Sequence, residues 1–425
     1  MKLDSYWLDT APRFTKLAQG PLAGRVDVAV VGGGFTGLSA ALALAKRGYS
    51  VTVLESQRIA GQASGRNGGH CNTGVAQDYA ALSAKLGKER ASLFYRAYAE
   101  AVKSVAQIVE EEQIACDLRK SGKIKLAAKP HHYASLAKTF ESLKRDVDED
   151  VELIAHERIR DEIASDGFYG GLVQHNGIQL HMGKFGVGLA EAAARHGAQI
   201  FEETPMIGLK PLGGHAYDVQ SERGTLRADR VLLATGASQS GPLQWFRRRI
   251  APVGSFIVVT EPLGKDRLDA LLPTRRSYVT TRQIGNYFRP THDDRLLFGG
   301  RARFAMSNPR SDEKSGRILR DGMLQYFPQL ADVRLDYCWG GLVDMTADRL
   351  PRAGEHEGLF YSMGYSGHGV QMSVHMGRVM ADVMFGAATR NPWRALEWPA
   401  IPGNFGLAWF LPLVGAYYRL QDVLH

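Results

Sequence analysis

Gly32, Gly34 and Gly37 stand at the spacing G-x-G-x-x-G, between the apolar run Val26–Val31 and an apolar segment opening at Phe35 and Thr36. Residues of these types bind a dinucleotide: Gly32 permits a tight turn, Gly34 lets the backbone approach a pyrophosphate, and Gly37 allows a helix to pack closely on its strand. The phosphate charge then meets the positive end of the helix. Glu55, which ends the next apolar run about 20 residues on, can accept the hydroxyls of an adenosine ribose. A lone glycine turn is weak evidence. Here strand, turn, helix, strand and acid follow in order, so a turn that binds nothing is the poorer reading.

Other segments make sense as partners of the same ligand. The loop Ala60–His70 holds Ser64, Arg66, Asn67, Gly68 and Gly69, whose backbone N–H groups and guanidinium can converge on phosphate or on a ring edge; the bland alternative is a surface loop. Thr204-Pro205-Met206 can present backbone to an adenine edge, and Ala234-Thr235-Gly236 ends a strand in small residues. Far along the chain, Met363–Met372 is a second strand, glycine loop and helix, containing Gly364, Gly367, His368, Gly369, Val370 and Gln371. Two such corners suggest one extended ligand touching both. Tyr287 and Arg289 alternate onto one strand face, where a phenol and a guanidinium fork can hold a carboxylate. The same pattern also fits an exposed, salt-bridging Arg. His70 and His368 titrate near neutrality and can tune a ring or accept a proton, although a lone His is more often structural.

The elements that position these residues follow from periodicity. The pattern predicts helices over Thr36–Arg47, Tyr79–Gln113, Pro130–Asp146 and Gly183–His196, and from Gly369 to about Phe385. Strands are predicted at Gly122–Ala127, Ala198–Phe201, Asp229–Ala234, Ser255–Thr260, Tyr278–Thr281, Asn286–Arg289, Leu296–Gly300 and Leu359–Met363. With 425 residues the chain exceeds one core, and an apolar fraction of 44% with 23% charged excludes disorder for most of it. The net charge of +8 is interspersed, so it reads as a mildly basic surface without a nucleic-acid stripe. Cys71, Cys116 and Cys338 form neither metal spacing nor a disulfide framework, which fits a reducing cytoplasm.

Taken together, the Gly32–Gly37 turn with Glu55, Ala63–Gly69, Ala234–Gly236, Trp339-x-Gly341, Thr346-x-Asp348-x-x-Pro351 and Gly364–Gly369 resemble, in order, the motifs of the D-amino-acid oxidase superfamily of flavoproteins. The resemblance runs from Val26 to Gly386, in the bacterial branch that takes in L-pipecolate and γ-glutamylputrescine oxidation. It implies FAD, with Glu55 at the ribose, Gly32, Gly34 and Thr36 at the pyrophosphate, and Arg66, Asn67, Gly68 and Gly69 between pyrophosphate and flavin. Met206 would meet the adenine, and Gly367–Gln371 the isoalloxazine. Sarcosine oxidases attach flavin through a cysteine whose place is taken here by Gly341, so the FAD is expected to be non-covalent. The implied fold is an α/β FAD-binding Rossmann-like domain (25–110, 175–238 and 339–395) interleaved with an α+β substrate domain on a mixed, largely antiparallel sheet (111–174 and 239–338). An N-terminal arm (1–24) and a C-terminal tail (396–425) flank them. The implied reaction oxidises the CH–NH unit of an amine or amino acid to an imine, with oxygen or a quinone as electron acceptor and a slight preference for an L-pipecolate-like substrate. No metal is called for. The apolar stretch 403–418 is too short to span a bilayer, and either lies at a membrane interface or docks on protein. A nicotinamide dehydrogenase would use the first turn but not the second corner.

Overall fold

The computed structural model describes residues 1–238, 240–300, 307–386, 391–404 and 409–424. Gln239 and residues 301–306 of the expected substrate domain, residues 387–390, and 405–408 and His425 of the tail lie outside the described residues.

Strands Gln199–Phe201, Val51–Leu54, Arg25–Val31, Gly224–Leu233 and Leu359–Met363 are neighbours in that order, all parallel. Their near-continuous apolar runs suit burial on both faces, as a parallel sheet requires. Arg352–His356 pairs antiparallel with Leu359–Met363, and the hairpin Gly208–Gly213 with Ala216–Ser221 extends from the first half of Gly224–Leu233. Helix Phe35–Ala45 packs between Gly369–Val383 and Met182–Arg195. Because Val31 is in register with both Leu54 and Leu233, the glycine turn, Glu55 and Ala234 emerge side by side at the carboxyl edge of the sheet. That edge is where open α/β sheets bind ligands.

A second sheet runs in the order Leu335–Met345, Ala251–Thr260, Leu296–Gly300, Asn286–Pro290, Ser277–Thr280, Lys123–Leu126, Gly171–Gln174, Val151–Ile154. It is antiparallel except where Ser277–Thr280 meets Lys123–Leu126. One face, with Phe256, Phe288, Phe298, Tyr278, Ile124 and Leu126, builds its own core with helix Pro309–Tyr326. The opposite face, with Ile257, Leu297, Leu172 and Tyr287, turns toward the first domain.

Two sequence expectations need correction, and the arm shows a feature of its own. The helix expected over Tyr79–Gln113 is two, Tyr79–Leu86 and Lys88–Glu111, because Gly87 takes φ +84° and Asp78 caps the first. A boundary at residue 339 falls inside strand Leu335–Met345, which pairs with Ala251–Thr260 along its whole length. The N-terminal arm contains a short helix, Tyr6–Thr10, with Tyr6 and Trp7 buried.

Candidate flavin and substrate site

The three early glycines are fixed by contact. Gly32 has φ +110°, and a Cβ there would stand 2.5 Å from the Ala234 carbonyl oxygen; a Cβ on Gly37 would stand 2.0 Å from the Gly32 oxygen. A Cβ on Gly34 would meet Ser64 Oγ at 2.9 Å, the same oxygen that accepts the Phe35 N–H at 3.0 Å. Glu55 lies buried beneath the turn, where Oε2 accepts the Gly33 N–H at 2.7 Å and Oε1 the Gln57 N–H at 2.9 Å. Thr204 N–H donates to the Glu55 carbonyl, which carries buried Met206 past the same edge. Thr235 sits beside Gly32, and Gly236, at φ +52°, faces Asp344 Oδ2.

The loop after Glu55 is held differently from expectation. Arg66 does not extend toward a phosphate: Nε donates to Gly61 O at 3.1 Å and Nη1 to Gly340 O at 3.0 Å. Asn67 Nδ2 donates to Ser64 O, and its Oδ1 accepts the Gly69 N–H. Both side chains staple the loop, so what it offers a ligand is backbone. Ser5 Oγ and Trp7 Nε1 from the arm, and Trp339 Nε1 from the second sheet, fasten Gly65, Asn67 and Arg66 through their carbonyls. Gly341 faces this loop, where an added Cβ would stand 3.1 Å from Arg66 Cβ.

The late corner meets the early one directly. Thr36 Oγ1 and Tyr365 Oη are 2.9 Å apart, Ser39 Oγ donates to Val374 O, and a Cβ on Gly377 would lie 2.4 Å from Thr36 O. Asp344, unforeseen from sequence, anchors the corner: its carboxylate accepts the Gly364 N–H at 2.6 Å and its carbonyl the Ser366 N–H. Burial pushes the Asp344 carboxyl up to about 6, against hydrogen bonds from Gly364, Tyr365 and Ser366 that pull it down. The folded chain therefore holds this proton more tightly than the unfolded chain. Its contribution to stability is present below the ordinary carboxylate range and is lost as pH rises through about 6. Asp344→Asn keeps an acceptor for Gly364 and is expected to raise the unfolding midpoint much more at pH 8 than at pH 4.5, the shift from 3.8 to about 6 corresponding to about 3 kcal/mol. Parallel thermal scans at the two pH values check this.

Between the corners, four buried polar atoms have no hydrogen-bond partner among the described residues: His70 Nε2, Asn72 Oδ1, Tyr98 Oη and Gln371 Oε1. They converge. Gln371 Nε2 donates to Asn72 O at 2.7 Å, the Tyr98 ring stands edge-on to His368 at 5.7 Å, and the His70 ring stands edge-on to Tyr287 at 5.4 Å. Buried polar groups are normally satisfied, so such a set marks where a polar ligand ring belongs. Val370 and Gly369 open the helix beside it. His70 was expected to take up a proton near neutrality. Burial and the charges of Arg289 and Lys123 hold it well below its ordinary value, so it is a neutral hydrogen-bonding group.

Arg289 also departs from its expected role. It is buried, with Nε donating to Gly68 O at 2.8 Å, Nη2 to Leu180 O at 2.7 Å, and Nη1 toward Pro290 O and Gln179 Oε1, and it lies 4.9 Å from the Trp7 ring. Its forks are committed to the protein. Arg289 braces the Gly68–Gly69 loop from behind, and Tyr287, on the same strand face, packs on Gly68 and Gly299.

Residues 27–383 match the family model described as FAD dependent oxidoreductase. The chain belongs to this family of FAD-dependent oxidoreductases. It is 32% identical over 402 residues to γ-glutamylputrescine oxidoreductase of Escherichia coli (strain K12), covering 94% of this chain and 93% of that protein. Identity to glycine oxidase of Geobacillus kaustophilus is 28%, over 85% of this chain and 93% of that one. The fold is also that of solved structures: glycine oxidase from G. kaustophilus superposes with a TM-score of 0.73 at 21% identity, covering 85% of this chain and 95% of that one. For L-proline dehydrogenase from P. horikoshii the TM-score is 0.71 at 20% identity, with 88% and 98% covered.

The residues fit the cofactor this oxidoreductase family uses. The glycine cradle admits a pyrophosphate at the start of helix Phe35–Ala45, and the orphaned polar atoms suit the edge of a flavin. All three cysteines are buried, and Cys338 lies in the core of the far sheet face, with Sγ donating to Asp312 O. Acid precipitation is therefore expected to leave all the flavin in the supernatant. Colour retained in the washed pellet would contradict non-covalent binding.

Proposed function

We propose that this oxidoreductase oxidises the terminal CH–NH₂ unit of a γ-glutamylated diamine to an imine, which water then hydrolyses to an aldehyde and ammonia. The observation that carries the reading is the match to a γ-glutamylputrescine oxidoreductase over nearly the whole of both lengths, supported by the unpartnered buried atoms of His70, Asn72, Tyr98 and Gln371. Bound FAD supplies a two-electron acceptor for the hydride of the carbon that bears nitrogen. The chain's own groups orient and exclude water: Tyr287 borders the substrate side, neutral His70 hydrogen-bonds without adding charge, and His368 stands at the helix start beside Tyr98. The expected preference for an L-pipecolate-like cyclic amino acid gives way, because the relatives favour a polyamine conjugate. A small amine bearing a neutral nitrogen and a C–H aimed at the ring needs no nucleophile or metal from the protein.

The electron acceptor is oxygen or a quinone. No helix among the described residues is long and apolar enough to cross a membrane. Helix Leu411–Leu424 has 14 residues, and Leu413, Tyr417 and Leu420 are exposed along it with Trp409 just ahead of it, which supports contact with a membrane interface or with a protein. Truncation after Pro402 is expected to shift the protein between cell fractions if the contact is with membrane. The substrate reading is tested by anaerobic mixing of the yellow protein with γ-glutamylputrescine, putrescine, glycine and L-pipecolate. Bleaching fastest with the first is expected; bleaching by the amino acids alone contradicts it.

A further inference from the structure

The second sheet contributes two cations that the reaction above does not use. On strand Lys123–Leu126, Ile124 and Leu126 are fully buried in the core of the far face, so Lys123 and Lys125 point to the face that Tyr287 shares. Register places Gln174 and Leu172 beside them on one side and Ser277 and Val279 on the other, with Tyr287 next to Val279. Both side chains are partly buried on this face, and Lys123 Nζ stands close enough to His70 for its charge to act on that ring. Lys123 Nζ donates to Thr73 O at 2.9 Å. Lys125 makes no hydrogen bond or ion pair among the described residues.

The carboxylates nearest in effect are spent elsewhere. Asp148 accepts from Tyr95 Oη at 2.6 Å, and Asp78 accepts from Ala80 N, Ala81 N and Thr139 Oγ1. Two buried ammonium groups with no carboxylate in direct contact are costly, and the cost shows in Lys123, which burial pushes down to about 7. Lysines serving only as structure would be paired. An anion arriving from outside relieves both at once.

We propose that Lys123 and Lys125 bind a carboxylate at the end of the substrate remote from the bond that is oxidised. Thr73, where Lys123 is anchored, lies three residues beyond His70, about 10 Å along extended chain. A carboxylate held there stands roughly nine extended single bonds from a carbon near His70. In an α-amino acid the carboxylate adjoins the amine-bearing carbon, so it cannot serve both ends. A γ-linked glutamyl group places its free carboxylate at the far end of the conjugate. The inference rests on the proposed function and narrows it: the substrate class is an amine with a distant carboxylate.

The test compares γ-glutamylputrescine with N-acetylputrescine, which keeps the amine and the amide but lacks the carboxylate. Wild type is expected to favour the first by roughly 10- to 100-fold in kcat/KM, mainly through KM. Lys123→Met and Lys125→Met are expected to erase that preference by weakening γ-glutamylputrescine alone, while Lys125→Arg retains it. Equal discrimination in wild type and both Met variants overturns the lysine assignment and leaves the amine reading standing. If no amine bleaches the flavin, the function reading fails. The lysines are then read by glutarate, a dicarboxylate, followed through perturbation of the flavin spectrum. Binding weakened at least about tenfold in the Met variants supports the assignment, and absent or unchanged binding overturns it. Removing an unpaired buried charge is expected to leave the unfolding midpoint level or higher, which separates loss of binding from loss of fold.

Discussion

Gly37→Ala is expected to yield a colourless protein. The new methyl carbon would lie 2.0 Å from the Gly32 carbonyl oxygen and 3.0 Å from Val30 Cγ1, contacts that backbone on both sides must move to relieve. Overpacking of this kind costs about 1–3 kcal/mol, and here the displaced element is the start of helix Phe35–Ala45, where the pyrophosphate is to sit. FAD retention, read as the ratio of visible to ultraviolet absorbance after gel filtration, is expected to fall at least roughly tenfold. Gly48→Ala provides the control: Gly48 has φ +83° but nothing within 4 Å, so that variant carries backbone strain of about 1–2 kcal/mol and keeps its flavin. Equal colour in both variants would show that close packing at Gly37 does not shape the cofactor site.

Arg289→Met is expected to damage the fold and the cofactor site before it touches substrate affinity. The guanidinium holds Gly68 O, Leu180 O and Pro290 O, and burial pushes its pKa down to about 9, so it spends its charge on carbonyl groups in the interior. Hydrogen bonds to a charged group contribute about 1.5–3 kcal/mol each, and their loss leaves buried carbonyls unmet. A markedly lower unfolding midpoint and weaker FAD binding are expected, with an unchanged KM in the fraction that retains flavin. A raised KM with an unaltered midpoint would restore the clamp that the sequence alone suggests.

The contrast between these two residues shows what a sequence carries. Glycines at Gly32 and Gly37 are legible because backbone sterics leave few uses for that spacing, and the strand Leu359–Met363 followed by a glycine loop is legible for the same reason. Period-2 alternation correctly put Tyr287 and Arg289 on one face. It could not say that the face would be roofed by the Gly68–Gly69 loop and by Trp7 from the arm, so Arg289 was given a ligand in place of the carbonyls it holds. Lys123 and Lys125 are the sharper case: alternation with Ile124 and Leu126 gave the strand, and only the packing of that strand's other face shows where the lysines lie. Asp344 carried no spacing signal, since its partners are N–H groups from Gly364 and beyond. The helix break at Gly87 was hidden by apolar periodicity that continues on both sides.

The most direct measurement is a crystal structure of the yellow protein with its FAD. The expected result places the pyrophosphate at Gly34–Thr36, the ribose at Glu55, and the ring between Gly68–His70 and His368–Gln371, with its polar edge meeting the orphaned atoms of His70, Asn72, Tyr98 and Gln371. A flavin that leaves the early turn empty, or that lies away from the late corner, would contradict the account.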